Sequence, residues 1–282
     1  MATIEISTAE EFVALLEGEY GYGTEESYLD VELTQDIDLN DISEGYNLPV
    51  PDLTKIWYIN FNGNFCTIYN IYFSHIYDGG YCSIFYNYRG TVKNVTFQDA
   101  YLVGDRIYLF GCGENVPSGN KLQNVYFFGT ARAQRTCRIL TGEYIDRCGV
   151  SGIFGTVAGS NLETDYCLLI FGKQIMNCTA VASSGESDMR IFEVGSNATM
   201  NFIRVTRSAN LLLWNGQISF TTAVVSNCTT VTAGDCDSCV YDKTVAEASG
   251  ITELLGTGKI YPEPTEKIKD PEYMARTYGY TY

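Results

Sequence analysis

A short recurring triplet limits what this chain can fold into: Asn, then a small apolar residue, then Thr or Tyr. Five copies begin at Asn70, Asn94, Asn124, Asn177 and Asn227, and two weaker ones at Asp146 and Asn201. The seven starts are about 26 residues apart on average, within the range of one coil of a solenoid. The unequal steps predict loops of varying length on one side of the coils.

A second phrase, an aliphatic residue beside Phe, precedes most of the triplets. Its copies are Ile84-Phe85, Leu109-Phe110, Ile153-Phe154, Ile170-Phe171 and Ile191-Phe192. We interpret them as the strand of each coil that supplies large core side chains, because stacked coils align like residues in internal columns. Asn side chains stacked at a coil corner can hydrogen-bond one another. The predicted structural ladder consists of Asn70, Asn94, Asn124, Asn177, Asn201 and Asn227.

One stretch carries a family resemblance. From Asn62 to Ile71 the sequence reads NGNFCTIYNI, followed by SIF at Ser83 and GTVKNV at Gly90. This rhythm resembles the repeats of right-handed parallel β-helices, the pectate-lyase-like solenoids of bacterial surface proteins and of phage fibre and spike proteins. The resemblance covers roughly residues 28–240 and departs from the pattern at Phe65, where the family usually has Gly, and in its uneven coil lengths. It implies an all-β, right-handed parallel β-helix of about seven to eight coils.

Three regions follow from this interpretation. Residues 1–27 form an N-terminal helical cap and loop, in which Ser7 and Glu10 are spaced as a capping box before an apolar face that ends near Gly18. Residues 28–242 form the β-helix. Residues 243–282 hold a Pro-punctuated connector and a short helix from Asp270 to Gly279, which we expect to cap the last coil and to dock on a partner.

The chain is rich in tyrosine, with 22 residues, and it ends in three closely spaced ones. Tyr offers flat, amphipathic area that suits sugar rings or a protein partner, although it also fills solenoid faces. Because an aromatic chain end left in water has no evident purpose, we take Tyr278, Tyr280 and Tyr282 as a binding hypothesis. If the chain belongs to a virion, as the resemblance to phage fibre and spike proteins implies, the expected partners of these tyrosines are other virion subunits or further copies of this chain in a homo-oligomer.

The charge balance excludes two classes of partner. With a net charge of -16, the chain is expected to bind neither nucleic acid nor an anionic membrane surface. The N-terminus has no basic region followed by an apolar run, and no stretch has the length of a membrane span. We therefore expect synthesis and assembly in a host cytoplasm, with the ten cysteines as thiols.

Most candidate chemical sites have a simpler structural explanation. Cys236 and Cys239 form the only two-thiol knuckle, but zinc needs four ligands and the single histidine, His75, is far away in sequence. The Asn-x-Thr triplets match glycosylation acceptors but fall mostly on the repeat register. Cys178 and Cys228 take the place of Val95 and Val125 in the triplet, as small core residues do. We expect no catalytic residue, no metal and no cofactor.

Paired carboxylates keep an enzymatic alternative open. Residues one coil apart in sequence come within a few ångströms in a stack of coils, and glycoside hydrolases use acidic pairs. Asp99, Asp105, Asp146 and Asp165 are candidates for such a pair. The alternative function is a polysaccharide depolymerase that acts on host-surface glycans.

The favoured function is a non-catalytic structural or host-recognition component of a phage virion, such as a head or tail fibre, a spike or a decoration protein. A possible glycan ligand on the host surface follows from the same resemblance. The third alternative is the adhesin domain of a bacterial cell-surface protein.

Overall fold

The computed structural model describes residues 3–42, 48–75, 80–111, 119–156, 167–176, 178–183, 189–201, 203–207, 211–212, 219–220, 223–226, 239–242 and 260–263. The first elements are β1 (Ile4–Ile6), α1 (Ala9–Leu16), β2 (Leu29–Leu33), β3 (Ile37–Asp38), a 3-10 turn (Leu39–Asp41), β4 (Trp57–Tyr69), β5 (Tyr72–His75), β6 (Tyr81–Cys82), β7 (Tyr88–Tyr108) and β8 (Asn120–Asp146). They are followed by β9 (Gly149–Thr156), β10 (Cys167–Met176), β11 (Thr179–Ser183), β12 (Met189–Asn201), β13 (Ile203–Arg207), β14 (Leu211–Leu212), β15 (Ser219–Phe220), β16 (Ala223–Ser226), β17 (Cys239–Asp242) and β18 (Ile260–Glu263).

These strands form one parallel solenoid. The 18 strands belong to a single sheet, and the named strands pair with one another in parallel, each with the strand one coil further along the chain. The expected all-β parallel solenoid is therefore confirmed, with one short helix. No described helix has the length and apolar character needed to cross a membrane.

The solenoid has about five turns, fewer than the seven to eight predicted. Coil length varies along the chain. Ile59 pairs with Gly90, which pairs with Asn120, so these coils take about 30 residues, whereas Met189 pairs with Leu211, 22 residues later. The prediction counted Asn70 and Asn94 as one coil apart, whereas the two residues lie at different corners of the coil.

Columns of apolar side chains fill the interior. Val31 pairs with Phe61, Phe61 with Val92, and Val92 with Leu122, and all four are at most 1% exposed. Parallel strands stack equivalent positions about 4.8 Å apart, so each such column is a continuous apolar contact along the solenoid.

The Ile-Phe phrases supply part of this interior, as predicted. Phe85, Phe110 and Phe154 are fully buried, and the rings of Phe85 and Phe110 lie 6.3 Å apart. Ile153 is an exception because it is 41% exposed: alternation along β9 turns it outward when Phe154 turns inward.

The N-terminal helix covers the first coil. The N-cap of α1 is Thr8, whose hydroxyl accepts from the backbone N–H of Glu11, one residue later than the predicted Ser7–Glu10 box. Both pairs have the spacing of a capping box, and in the observed helix Phe12 is fully buried, with its ring 6.4 Å from that of Phe61. The preceding strand β1, which the sequence did not predict, pairs with β2.

Two C-terminal predictions lie outside the described residues: the helix from Asp270 to Gly279 and the terminal tyrosines Tyr278, Tyr280 and Tyr282. Part of the Pro-punctuated connector is described as β18, which pairs in parallel with β17. The region boundaries at 27 and 242 stay predictions.

Candidate functional site

The outer side of the first coils carries an ordered set of polar side chains. Along β2, β4, β7 and β8, apolar residues alternate with residues that point away from the core. We call the outward set the polar grid; its members are Tyr28, Asp30, Glu32, Tyr58, Asn60, Asn62, Arg89, Thr91, Lys93, Lys121 and Gln123. None of these side chains is fully buried.

The strand register sets the spacing of the polar grid. One column runs through Asp30, Asn60, Thr91 and Lys121, and the next runs through Glu32, Asn62, Lys93 and Gln123. Neighbours in a column are about 4.8 Å apart, and the columns are about 7 Å apart along the strands. A groove of about 390 Å³ lies over this surface, lined by Thr3 at the first coil and by every member of the two columns except Lys121.

Hydrogen bonds between coils orient the side chains of the polar grid. Asn60 donates through Nδ2 to Oδ1 of Asp30, with 2.9 Å between the two atoms. Asn62 donates to Oε1 of Glu32 over 3.4 Å and to Oδ1 of Asn64 over 2.6 Å. The carboxylates thus fix the amide groups beside them, so donors and acceptors of the polar grid have defined positions before any ligand binds.

Charge changes sign across the polar grid. The first coil contributes the carboxylates of Asp30 and Glu32, the second contributes neutral amides, and the third and fourth contribute Arg89, Lys93 and Lys121. This basic end stands out on a chain whose net charge is -16. Two tyrosines, Tyr28 and Tyr58, close one edge, with ring centroids 5.6 Å apart in an edge-to-face arrangement.

An asparagine column borders the polar grid at the corner of the coils. Asn94 donates through Nδ2 to Oδ1 of Asn62 over 3.2 Å, and Asn124 donates to Oδ1 of Asn94 over 2.8 Å. Asn94 and Asn124 have φ values of 54° and 52°, the left-handed conformation that Asn tolerates better than most residues. Two of the six predicted ladder residues, Asn94 and Asn124, therefore lie in one hydrogen-bonded column.

The other predicted ladder residues do not share this column. Asn70 lies at a second corner, where it donates to Oδ1 of Asp38 over 2.7 Å and where Asp99 takes the equivalent position one coil later. Asn201 pairs with Met176, one position before the corner, while Asn177 and Asn227 lie outside the described residues.

The sequence interpretation missed two members of the corner column. Asn62 accepts from Asn94, and Asn64, with a φ of 49°, donates through Nδ2 to the backbone oxygen of Leu33. The sequence feature that could have located them is the run Asn62-Gly63-Asn64, but such a run is also typical of an ordinary turn. Arg147 takes the next corner position after Asn124, with a φ of 52°.

The acidic residues proposed as a catalytic pair are not brought together. Asp99 is exposed at its corner, whereas Asp105 is buried and bound by Nε of Arg135 at 3.2 Å. Asp146 is buried and accepts from Nε of Arg147 over 3.0 Å. The register places the three aspartates at different positions around the coil, and Asp165 lies outside the described residues.

Four cysteines are core residues: Cys82, Cys137, Cys148 and Cys178 are at most 1% exposed. Cys178 is fully buried in the column of Val95 and Val125, as the triplet alignment predicted, and burial raises the pKa of its thiol. Burial also raises the pKa of Cys82. The part of the chain that the structure describes contains no group of three His, Cys, Asp or Glu residues that could hold a metal ion. His75 contributes its backbone to β5, and Cys236 and Cys228 lie outside the described residues.

Comparisons with known proteins give information about the fold only. No protein family model matches the sequence, and no curated protein matches it. The chain is similar to the crystal structure of a protein from Bacteroides ovatus that carries the provisional name immunoglobulin A1 protease, with a TM-score of 0.53. The two are 14% identical, and the match covers 97% of this chain and 87% of the other. At this identity the similarity shows a shared fold and carries no information about activity.

Proposed function

We propose that the protein is a non-catalytic recognition component of a phage virion, in a head or tail fibre, a spike or a decoration, and that the polar grid binds a host-surface glycan. The observation that carries the glycan-binding part is the two-column arrangement of oriented polar side chains over a groove. The virion setting rests on the sequence resemblance to right-handed, pectate-lyase-like β-helices of phage fibre and spike proteins.

The chemistry of the polar grid suits a polyhydroxylated ligand. Neighbouring sugar hydroxyls act as both donors and acceptors, and Asn, Gln and carboxylate side chains offer two polar atoms in one plane to such a pair. The groove supplies these groups from Asn60, Asn62 and Gln123. Tyr28 and Tyr58 add ring surface at one edge, against which the apolar face of a sugar can pack.

An open groove of this kind binds each sugar weakly, so avidity matters. Several copies of the polar grid held in one assembly convert weak single contacts into strong attachment through a high effective concentration. This requirement agrees with the proposed homo-oligomer or virion assembly, for which Tyr278, Tyr280 and Tyr282 remain the proposed contact.

The glycan-binding proposal is tested by titrating the whole chain with polysaccharide from the host surface. Asn60→Ala should weaken binding by about tenfold, since it removes one oriented amide from the groove. Asn40→Ala, at an exposed position in the 3-10 turn, is the matched control and should bind as the unaltered chain does. Equal binding by both variants would place the ligand elsewhere.

The virion proposal has a separate test. Sedimentation should show an oligomer, and antibody against the chain should label purified particles. A chain that sediments as a lone monomer and never associates with virions would overturn this part, whatever its affinity for glycan.

A depolymerase is the second candidate, and one observation favours it. Asp30 and Glu32 lie two residues apart on β2 and both line the groove. Side chains at such positions are roughly 7 Å apart, within the range that separates the carboxyl groups of glycoside hydrolases.

The test of this candidate is release of reducing ends from the same host polysaccharide. Release that disappears in Asp30→Asn and in Glu32→Gln would support an enzyme. No release by the unaltered chain, at concentrations where it binds the polysaccharide, excludes the enzyme and leaves the recognition function.

A further inference from the structure

A cluster of tyrosine and arginine side chains lies on another part of the coils, away from the polar grid. It consists of Tyr81, Tyr86, Arg106 and Tyr108, which we call the Arg–Tyr patch. Tyr81 on β6 pairs in register with Arg106 on β7, and Tyr108 follows two residues later on the same side of the strand. Tyr81, Tyr86 and Arg106 are partly exposed, and Tyr108 is 6% exposed.

The rings of Tyr81, Tyr86 and Tyr108 contact one another and form an aromatic wall. Tyr81 and Tyr108 are stacked, with 6.0 Å between the ring centroids and 22° between the ring planes. Tyr86 stands edge-on to both, at 5.6 Å from Tyr81 and 6.1 Å from Tyr108. The partly exposed rings of Tyr81 and Tyr86 thus offer two ring surfaces at nearly a right angle.

The guanidinium group of Arg106 lies against the ring of Tyr81. It donates through Nη1 to the hydroxyl of Tyr81, and its guanidinium carbon lies 5.3 Å from the centroid of the Tyr81 ring. A guanidinium group has five N–H donors, so the bond to Tyr81 leaves several for a ligand. Within the described residues Arg106 forms no salt bridge, and the carboxylate next to it, that of Asp105, is bound by Arg135.

Among the described residues that these contacts join, positive charge exceeds negative charge. Arg106, Arg135 and Arg138 contribute three guanidinium groups, and Asp105 contributes one carboxylate. Arg138 is buried below the wall, with its guanidinium carbon 5.8 Å from the centroid of the Tyr108 ring. On a chain with a net charge of -16, such an excess favours an anion over a neutral ligand.

We propose that the Arg–Tyr patch is a second binding site, which takes a sugar acid: a six-membered sugar ring that carries a carboxylate. The carboxylate binds the free N–H groups of Arg106 in the two-point geometry that guanidinium groups favour, while the ring packs its C–H face on the exposed tyrosine surface. A neutral sugar lacks the charge and a simple carboxylate lacks the ring. This site is separate from the polar grid and does not depend on the function proposed for it.

The test uses the full chain and three small probes: methyl glucuronide, methyl glucoside and acetate. The glucuronide should bind at least tenfold more tightly than either of the others, as measured by isothermal titration or by ligand-observed NMR. Equal binding of glucuronide and acetate would mean a general anion site, equal binding of glucuronide and glucoside would mean that charge plays no part, and no binding of the glucuronide would exclude the site. Each of these three results overturns the proposal.

Variants locate the bound glucuronide. Arg106→Gln should weaken glucuronide binding at least tenfold, whereas Arg132→Gln, at an exposed position that pairs with Val103 outside the patch, should leave it within twofold. Equal weakening by both would indicate diffuse attraction rather than a site. Should Arg106→Gln fail to fold, Tyr81→Phe keeps the ring and removes the hydroxyl that orients Arg106; it should weaken binding two- to fivefold, and unchanged binding would contradict the proposal.

Discussion

The same strands form two very different surfaces: an apolar one that faces the core and a polar one that faces outward. On β4, Ile59 and Phe61 point inward and are at most 1% exposed, while Asn60 and Asn62, their immediate neighbours, point outward into the groove. The inward columns are apolar and continuous from coil to coil. The outward columns change from acidic through neutral to basic over four coils.

Stability and recognition therefore depend on different sides of the same strands. Period-two alternation gives each strand one side that must be apolar and another whose composition the fold does not restrict. We therefore expect substitutions on the inward side to change the free energy of unfolding, and those on the outward side to change ligand affinity. Paired substitutions on the two sides test this division.

The largest expected effect is on the inward side. Phe61→Ala removes a ring that contacts Phe12 of the cap and Phe85 of the next coil, and should lower the free energy of unfolding by about 3 to 5 kcal/mol. Phe128→Ala, whose side chain is 42% exposed, is the control and should cost about 0.5 kcal/mol. Urea unfolding measures both, and similar costs would break the division.

The close approach of neighbouring coils gives the next effect. Gly90 has a φ of 111°, and a Cβ there would overlap the backbone oxygen of Ile59, so Gly90→Ala should cost about 3 kcal/mol. Gly119 also has a positive φ, 81°, but a Cβ there meets nothing within 4 Å. Gly119→Ala should therefore cost only about 1 kcal/mol. Equal costs would mean that strain in φ, and not contact between coils, dominates.

The corner column lies between the two surfaces. Asn94→Ala loses hydrogen bonds to Asn62 and Asn124 and must hold a φ of 54°, so we expect a loss of about 2 kcal/mol. Asn94→Gly removes the same hydrogen bonds but accepts the left-handed backbone, and should lose about 1 kcal/mol. Thermal unfolding of the pair separates the two contributions; equal losses for Ala and Gly would mean that the side-chain bonds carry the whole effect and that the left-handed φ adds nothing.

On the outward side the expected change in stability is small. Asn60→Ala should alter the free energy of unfolding by no more than about 0.5 kcal/mol, since its bond to Asp30 is exposed. Its effect should instead appear as the tenfold loss of glycan affinity described above. A large loss of stability would show that the polar grid also holds the coils together.

The smallest effect is a pH dependence at the N-terminal cap. The backbone N–H and the hydroxyl of Ser7 donate to the Glu11 carboxylate and lower its pKa below the ordinary value of 4.5. This stabilisation is fully present above about pH 4.5 and is lost as the pH falls through the lowered pKa of the folded state.

The difference in melting temperature between the unaltered chain and Glu11→Gln should accordingly shrink from pH 7 to pH 3. Glu10→Gln, an exposed neighbour in the same turn, serves as the control. A difference that stays constant with pH would mean that packing, and not the charge of Glu11, stabilises the cap.

The general architecture was predictable because repeated units leave repeated residues. The Ile-Phe phrases located Phe85, Phe110 and Phe154 in the core, and the Asn triplets located Asn94 and Asn124 at one corner. The coil count failed because a coil has more than one corner, and each accepts Asn or Asp in the left-handed conformation. A linear pattern cannot tell which corner a given Asn occupies.

The candidate sites were not predictable for a different reason. Asp30, Asn60 and Lys93 come from three coils, and each by itself reads as an ordinary solvent-facing residue. Arg106 and Tyr81 are 25 residues apart in sequence and meet only because β6 pairs with β7. Only the register of the strands, which the sequence does not state, brings such residues together.

The unequal register between coils has a consequence for how this protein can evolve. Val95 pairs with Val125, 30 residues later, but Tyr126 pairs with Gly149 after only 23. The shorter coil still reaches the corner with Arg147 at the same left-handed φ. A lineage can therefore lengthen, shorten or exchange the segment at one corner while the remaining contour of the coil is inherited unchanged.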